Sequence, residues 1–217
     1  KIVADGVHVV MPPLGTEGGG AKPASDIVVG ELVAKNAVFE FSRKNPADPR
    51  IQFLVRRLSL KNFGRRTTIT FYTAVRIPEP PGEAEVNGTL GPFKENQNAE
   101  APIAGTYTFT KADLGKFEGI AGLLSSSGKF SGKLNHLEVE GETDTPDFEV
   151  RESNHREHLA TKFRALVNGT NGDVELHGVD AHFFKSVVLA NGEIEGKSDE
   201  VPGKTTSLDM FVREGRI

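Results

Sequence analysis

Chemistry in this 217-residue chain would have to be built from two histidine pairs, a run of carboxylates, a glycine-rich loop and a knot of arginines. His155 and His158 stand three apart, a spacing that brings two imidazoles to one metal ion only on a helix. The pair lacks the HExxH spacing and an obvious third ligand, so solvated surface histidines are the simpler reading. His177 and His182 are five apart on a strand-like stretch, which sends them to opposite faces. The run Gly-Thr-Glu-Gly-Gly-Gly-Ala-Lys at 15–22 has the glycines of a phosphate loop. Pro23, however, stands where a Ser or Thr is needed and no helix follows, so the run reads as linker. Glu142, Asp144 and Asp147 crowd one segment, and a glycosidase needs two carboxylates flanking a sugar. With no Trp and two Tyr, a stacking platform for sugar is poorly supplied. The chain has no Cys, which removes thiolate nucleophiles, disulfides and thiolate metal sites. There is no Gly-x-Ser-x-Gly elbow either, and Ser125, Ser126 and Ser127 read as a loop. The expectation is a non-catalytic protein with no cofactor and no metal. A hydrolase of envelope polysaccharide would need acids clustered in a cleft with opposed pKa shifts.

Arg56, Arg57, Lys61, Arg65 and Arg66 gather around one strand and turn and are suited to phospholipid headgroups, although such clusters commonly form a solvated face. The net charge of -4 lacks the basic footprint of a nucleic-acid binder. Apolar runs such as Val187-Val188-Leu189-Ala190 reach four residues, far short of the roughly 20 of a membrane-spanning helix. The start at Lys1, with no initiator Met or signal pattern, suggests a piece of a larger protein.

The elements that must position these residues are strands. In the segment 67–77, Ile69, Phe71, Val75 and Ile77 share one parity while Thr68, Thr70, Tyr72 and Arg76 share the other. A strand lines such residues up on two faces, whereas a helix would scatter them. The pattern recurs at 37–41, 51–55, 106–110 and 208–212. Asp5-Gly6, Asn87-Gly88, Asn168-Gly169, Asn171-Gly172 and Asn191-Gly192 read as hairpin turns. In Asn87-Gly88-Thr89 and Asn168-Gly169-Thr170 that reading takes precedence over a glycosylation sequon. Strand signals repeat about every 8–14 residues, too close for crossover helices, which predicts antiparallel meanders. A phase switch at Asn135-His136 suggests a bulge or bend. The spacing of Leu114, Phe117, Ile120 and Leu124 suggests a short helix that Asp113 caps. Residues 12–25, 44–50 and 78–82 read as loops, the first as a flexible Gly/Pro-rich one. No composition boundary divides the chain, so residues 1–217 form one all-β domain.

Fourteen Phe, many on alternating strands, make an apolar sheet face the dominant feature. Such a face either packs against a second layer or lines a groove for lipid chains. Parity places Phe39, Phe41, Ile69, Phe71, Val75, Tyr107, Phe109, Leu134, Val139, Phe163, Val167, Leu176, Phe183, Leu189, Leu208, Met210 and Val212 on it.

Several stretches resemble the AsmA-like family of bacterial envelope proteins. The densest are residues 119–134 and the run at 137–148, which ends in Gly-Glu-Thr-Asp-Thr-Pro-Asp-Phe. Residues 167–173, 212–217 and 87–93 look similar to the same family, as do 3–6 and 30–34. The resemblance implies a curled, taco-like antiparallel sheet with an apolar concave face, of the bridge-like lipid-transfer type. It also implies a segment of a larger periplasmic protein held in the inner membrane by an N-terminal helix outside this chain. The expected partners are phospholipid or other acyl-chain lipid, the membrane through that anchor, and neighbouring segments of the same protein. The expected role is lipid transport between inner and outer membranes or outer-membrane assembly. The alternative is a structural or adhesive extracellular β-domain whose apolar residues fill a closed core.

Overall fold

The computed structural model describes residues 1–11, 27–41, 50–78, 80–94, 97–152, 155–170, 173–183, 186–196 and 204–213; for residues 11, 41, 51, 183, 194–196, 204–206 and 208 it describes the backbone only. The loop expectations at 12–25 and 44–49, the phosphate-loop run and the turn at Asn171-Gly172 lie outside the described residues. The strands are β1 (Ile2–Asp5), β2 (His8–Met11), β3 (Val29–Phe41), β4 (Ile51–Phe63), β5 (Ile69–Pro78), β6 (Pro81–Leu90) and β7 (Pro102–Asp113). They continue as β8 (Ile120–Ala121), β9 (Leu123–Lys133), β10 (His136–Val150), β11 (His155–Asn168), β12 (Asp173–Phe183), β13 (Ser186–Gly196) and β14 (Lys204–Arg213).

All belong to one sheet, ordered β1-β3-β4-β5-β6-β7-β9-β10-β11-β12-β13-β14, which does not close into a barrel. From β3 onward, neighbours along this path are antiparallel, as short connections dictate. The expectation of antiparallel pairing throughout fails at one edge, where β1 and β2 both run parallel to β3. They are one edge strand broken at Gly6, whose φ of 68° suits glycine. Among the described residues, the substantial strand-to-strand contacts are those between ladder partners. The architecture of the described residues is therefore a single curled layer, with no second sheet or helix among them laid over either face.

The structure corrects several turn expectations. Asn87-Gly88 and Asn191-Gly192 lie inside β6 and β13, where Gly88 pairs with Phe71 and Gly105, and Gly192 with Leu176 and Leu208. An Asn-Gly pair permits a turn without demanding one. Against the loop expectation at 78–82, Pro78 already pairs with Pro81 and Gly82 with Ile77 in the β5–β6 ladder. The phase switch at Asn135-His136 is a two-residue hairpin turn, Leu134-Asn135, between paired Lys133 and His136. Residues 112–124 contain only a 3₁₀ turn, Leu114–Lys116, with Asp113 accepting from the Gly115 N–H at 2.9 Å. Glycines 115, 119 and 122 stop any longer helix. The Asn168-Gly169 turn forms as expected, with Asn168 Oδ1 accepting from the Thr170 N–H at 3.0 Å.

Bulges bend the ladder between Val55 and Arg57, Phe109 and Ala112, Thr145 and Phe148, and Leu176 and Val179. At the first, Asn36 takes a φ of 49° in the facing stretch of β3. Ala34 and Ala37, three apart, then join Val55, Val75 and Ala84 in one cluster. Val7, Phe39, Phe53, Leu58, Ile77 and Phe109 pack around it.

The parallel edge is held by Glu40, buried to 6% exposure on β3. Its carboxylate accepts from Arg50 Nη1 at 2.7 Å and Gln52 Nε2 at 3.3 Å, and pairs with His8 Nε2 at 2.8 Å. These hydrogen bonds, Arg50's first and His8's second, hold the Glu40 pKa below its ordinary value against the opposing effect of burial. A carboxyl with a lowered folded-state pKa stabilises the fold above its unfolded pKa and loses that contribution as pH falls through the folded value.

Two outcomes follow. Glu40→Gln should lower stability at neutral pH and flatten the acid limb of a stability-versus-pH curve, read by denaturant titration; an unchanged limb would show that Glu40 does not hold this edge. Gly141→Val should cost about 1–3 kcal/mol, because its side chain would overlap the Tyr107 hydroxyl and the Phe163 ring, whereas Gly178→Ala, with open space around it, should be nearly neutral.

Candidate functional site

Cross-strand pairing puts directly opposed residues on the same face, so the register spells out each face row by row. One row runs Leu32, Leu60, Phe71, Gly88, Gly105, Phe130, Val139, Ala165, Leu176, Gly192, Leu208 from β3 to β14. The next runs Ala34, Leu58, Thr73, Val86, Tyr107, Gly128, Gly141, Phe163, Val179, Ala190, Met210. A third runs Ala37, Val55, Val75, Ala84, Phe109, Ser126, Thr143, Thr161, Ala181, Val188, Val212. These rows make one contiguous, largely apolar face across the whole sheet.

Glycines shape its floor. A methyl group on Gly105 would lie 2.7 Å from the Phe130 ring, and one on Gly128 would lie 2.7 Å from the Tyr107 ring. One on Gly82 would lie 2.5 Å from the Phe109 ring. The rings therefore lie down over neighbouring strands in space that only glycine leaves. Methyl groups on Gly88 and Gly105 would also strike the carbonyls of Ala104 and Asn87. Paired glycines thus let adjacent backbones fold toward this face, as curled sheets require.

A band of hydroxyls crosses the apolar surface at Ser126, Thr143 and Thr161, side by side on β9, β10 and β11. Ser126 Oγ donates to the Glu142 carbonyl at 2.9 Å, so the Tyr107 hydroxyl, 3.2 Å away, donates to Ser126. Burial pushes the Tyr107 phenol above its usual pKa. Beyond the band, Thr145, whose methyl lies against Gly122 of the β7–β9 connection, is fully buried with no partner for its hydroxyl.

Most of the residues assigned by parity meet on this face. Phe39, Ile69, Phe71, Val75, Tyr107, Phe109, Val139, Phe163, Val167 and Leu176 lie on it, and all but Ile69 and Val75 are half-buried. Met210 and Val212 lie on it on β14, the last strand in the sheet order, 69% and 56% exposed. The backbones of Phe41, Phe183 and Leu208 take matching register positions, but their side chains lie outside the described residues. Leu189 is on the opposite face, opposed to Asp180 and Phe211; Val188 takes the groove position. In an unbroken apolar run, parity alone could not choose between them. Leu134 sits in the β9–β10 turn, hydrogen-bonded through its N–H to Ala101 at 3.1 Å. Parity also missed Val86, Phe130 and Val179, whose sequence neighbours are too polar or too short to advertise a strand face.

The other face is charged. Lys129 and Arg164 reach Glu140 at 3.0 and 3.8 Å, and His158 reaches Asp144 at 2.5 Å. Shallow hollows of about 750 and 440 Å³ lie on this side, lined by Lys129, Glu140, Glu142, Lys162, His177, Asp180 and His182 among others. His177 and His182 share this face instead of opposite ones, because the bulge after Leu176 inserts a residue between them. Each faces its own carboxylate, Glu175 at 3.7 Å and Asp180 at 3.2 Å. Among the described residues no group of three His, Asp or Glu is placed to hold a metal. Arg56 pairs with Glu83 at 3.5 Å, and Asp147 accepts from the Leu123 N–H at 2.9 Å. No helix among the described residues is long and apolar enough to cross a membrane.

No family model, curated protein or solved structure matches this chain.

Thr145→Val should stabilise the protein by about 1 kcal/mol in chemical denaturation, because it replaces a buried unpaired hydroxyl with a methyl of similar size; a loss of stability would mean that the hydroxyl has a partner in solution.

Proposed function

We propose that the apolar face is a binding surface for lipid acyl chains and that the chain is a non-catalytic lipid-accommodating segment of the bacterial envelope. The observation that carries this reading is an apolar face spanning the sheet with no second layer over it among the described residues. Transfer of a 16-carbon chain out of water is worth roughly 12 kcal/mol, at about 0.8 kcal/mol per CH₂. A smooth apolar track is the chief requirement for such a ligand, and rings lying flat over glycines supply one. The hydroxyl band of Ser126, Thr143, Thr161 and Tyr107 would meet ester or headgroup oxygens where the hydrocarbon ends. Resemblance to the AsmA-like family points the same way: to periplasmic work between inner and outer membranes, to an anchor in the inner membrane, and to neighbouring segments that extend the groove.

A closed structural or adhesive domain would need the half-buried face covered. The cluster around Val55, Val75 and Ala84 fills only the β3–β7 part of it.

The test is incubation of the purified chain with phosphatidylethanolamine vesicles, followed by re-isolation and native mass spectrometry. Bound phospholipid is expected. Val179→Asp should lose it while the circular-dichroism strand signal survives, and Leu189→Asp, on the opposite face, should retain it. A wild-type protein that stays lipid-free at vesicle excess would overturn the reading.

A further inference from the structure

Glu83 on β6, in the interior of the sheet, gathers more cations than it can neutralise. Its Oε2 faces Arg56 Nη2 at 3.5 Å and Lys111 Nζ at 3.9 Å. Arg76 on β5 stands directly opposite it in the ladder and has no ion-pair partner among the described residues. Three cations against one carboxylate leave a local excess of positive charge. Both ion pairs are also long beside charge-assisted hydrogen bonds, which run about 2.7–2.9 Å. Short pairs do form in this protein: Arg50 reaches Glu40 at 2.7 Å, and Lys133 reaches Glu100 at 2.9 Å. Around Glu83 the cations are assembled but not satisfied, and the Arg56 and Lys111 side chains stay 52% and 73% exposed. The backbone departs from regular pairing to bring them there. Arg56 is the extra residue of the bulge between Val55 and Arg57. Lys111 lies in the bulge between Phe109 and Ala112 with a φ of 57°, a left-handed conformation that is unfavourable for lysine. Bulges re-aim side chains, and strained backbone persists where its surroundings hold it. Self-repulsion and strain both cost stability, and a bound anion would relieve the first.

We propose that Arg56, Arg76 and Lys111 form a binding site for a phosphate group, free or as a phosphomonoester, on the charged face of the sheet. Arg56 and Arg76 approach Glu83 from the β5 side of β6, and Lys111 approaches from the β7 side. Cations on both sides suit the several free oxygens of a tetrahedral phosphate, and a guanidinium fork matches those oxygens in pairs. Thr110, opposite Glu83 on β7, brings a hydroxyl donor to the same face. Glu83 holds the cations within reach of one another. Grouping along the sequence joins Arg56 to Arg65 and Arg66, but these lie beyond Phe63 at the other end of β4. The ladder brings Arg76 and Lys111 to Arg56 instead. The site faces away from the apolar rows, so it and the acyl-chain reading can each fail alone.

Isothermal titration calorimetry of the purified chain with inorganic phosphate should show saturable binding at one site, and sodium acetate should show none. Arg76→Gln should weaken phosphate binding about fivefold, the upper range for one exposed ion pair. Lys111→Gly should also weaken it while the denaturant midpoint holds or rises, because glycine accepts a φ of 57° without strain. A purely structural role for Lys111 would lower that midpoint. Lys162→Gln, which removes another lysine of the charged face, should leave binding unchanged. Co-sedimentation with phosphatidic acid vesicles, against phosphatidylcholine vesicles, separates the two sources of the group. Selective recruitment assigns the site to a lipid headgroup, and phosphate binding without recruitment assigns it to a soluble phosphate compound. Glu79, the carboxylate nearest to Arg76 along the chain, lies outside the described residues, and Glu79→Gln should leave the affinity close to the wild-type value. A wild type that binds no phosphate, or binds it only after Glu79→Gln, would overturn the proposal. So would equal binding of acetate, or a loss from Lys162→Gln equal to that from Arg76→Gln.

Discussion

No second layer among the described residues covers the sheet, and the rest of the structure depends on that constraint. In a sandwich, an apolar strand face leaves water by meeting another sheet about 10 Å away. Here the face can be removed from water only by its lateral neighbours and by the curl of the sheet itself. The burial pattern carries that signature. Of the thirteen buried apolar residues among those described, seven are alanines, whose short side chains disappear between taller neighbours. Phe39, Phe71, Tyr107, Phe109 and Phe163 stay half-buried, because their flanks are packed and their tops are not.

A single layer also explains why glycine and aromatic residues are placed together. A ring standing upright on an uncovered face would expose most of its surface. A ring lying over a glycine on the next strand buries one side against backbone and fills the missing volume. Tyr107 does this over Gly128, and Phe130 over Gly105. The same glycines permit backbone approaches that a side chain would forbid, so curvature and ring packing have a common origin. Cross-strand ion pairs on the other face are largely exposed and add little stability individually. Their consequence is asymmetry: one face is comfortable in water and the other is not.

Strand content, meander connectivity and much of the apolar face, though not Val86, Phe130 or Val179, were legible in local patterning. Ile69, Phe71 and Val75 could be assigned from parity because polar residues separate them. The pattern failed wherever a local signal has two structural solutions. Asn87-Gly88 and Asn191-Gly192 have turn chemistry, yet sit mid-strand where backbones approach. Val187, Val188 and Leu189 are all apolar, so either parity is possible until a partner strand is known. His177 and His182 share a face because a bulge, invisible in composition, shifts the count by one.

The sequence by itself determined that the chain is β throughout, that its neighbours pair mostly as hairpins, and that one side of each strand avoids water. These are consequences of a two-residue period and short connections, both local properties. Only the tertiary structure decided that β1 and β2 return parallel to β3 and that Glu40 holds that edge. It also decided which glycines lie under which rings, and that no second sheet or helix among the described residues covers the apolar rows. Such outcomes depend on which strands become neighbours and in what register, and the energies that choose them arise between residues far apart along the chain.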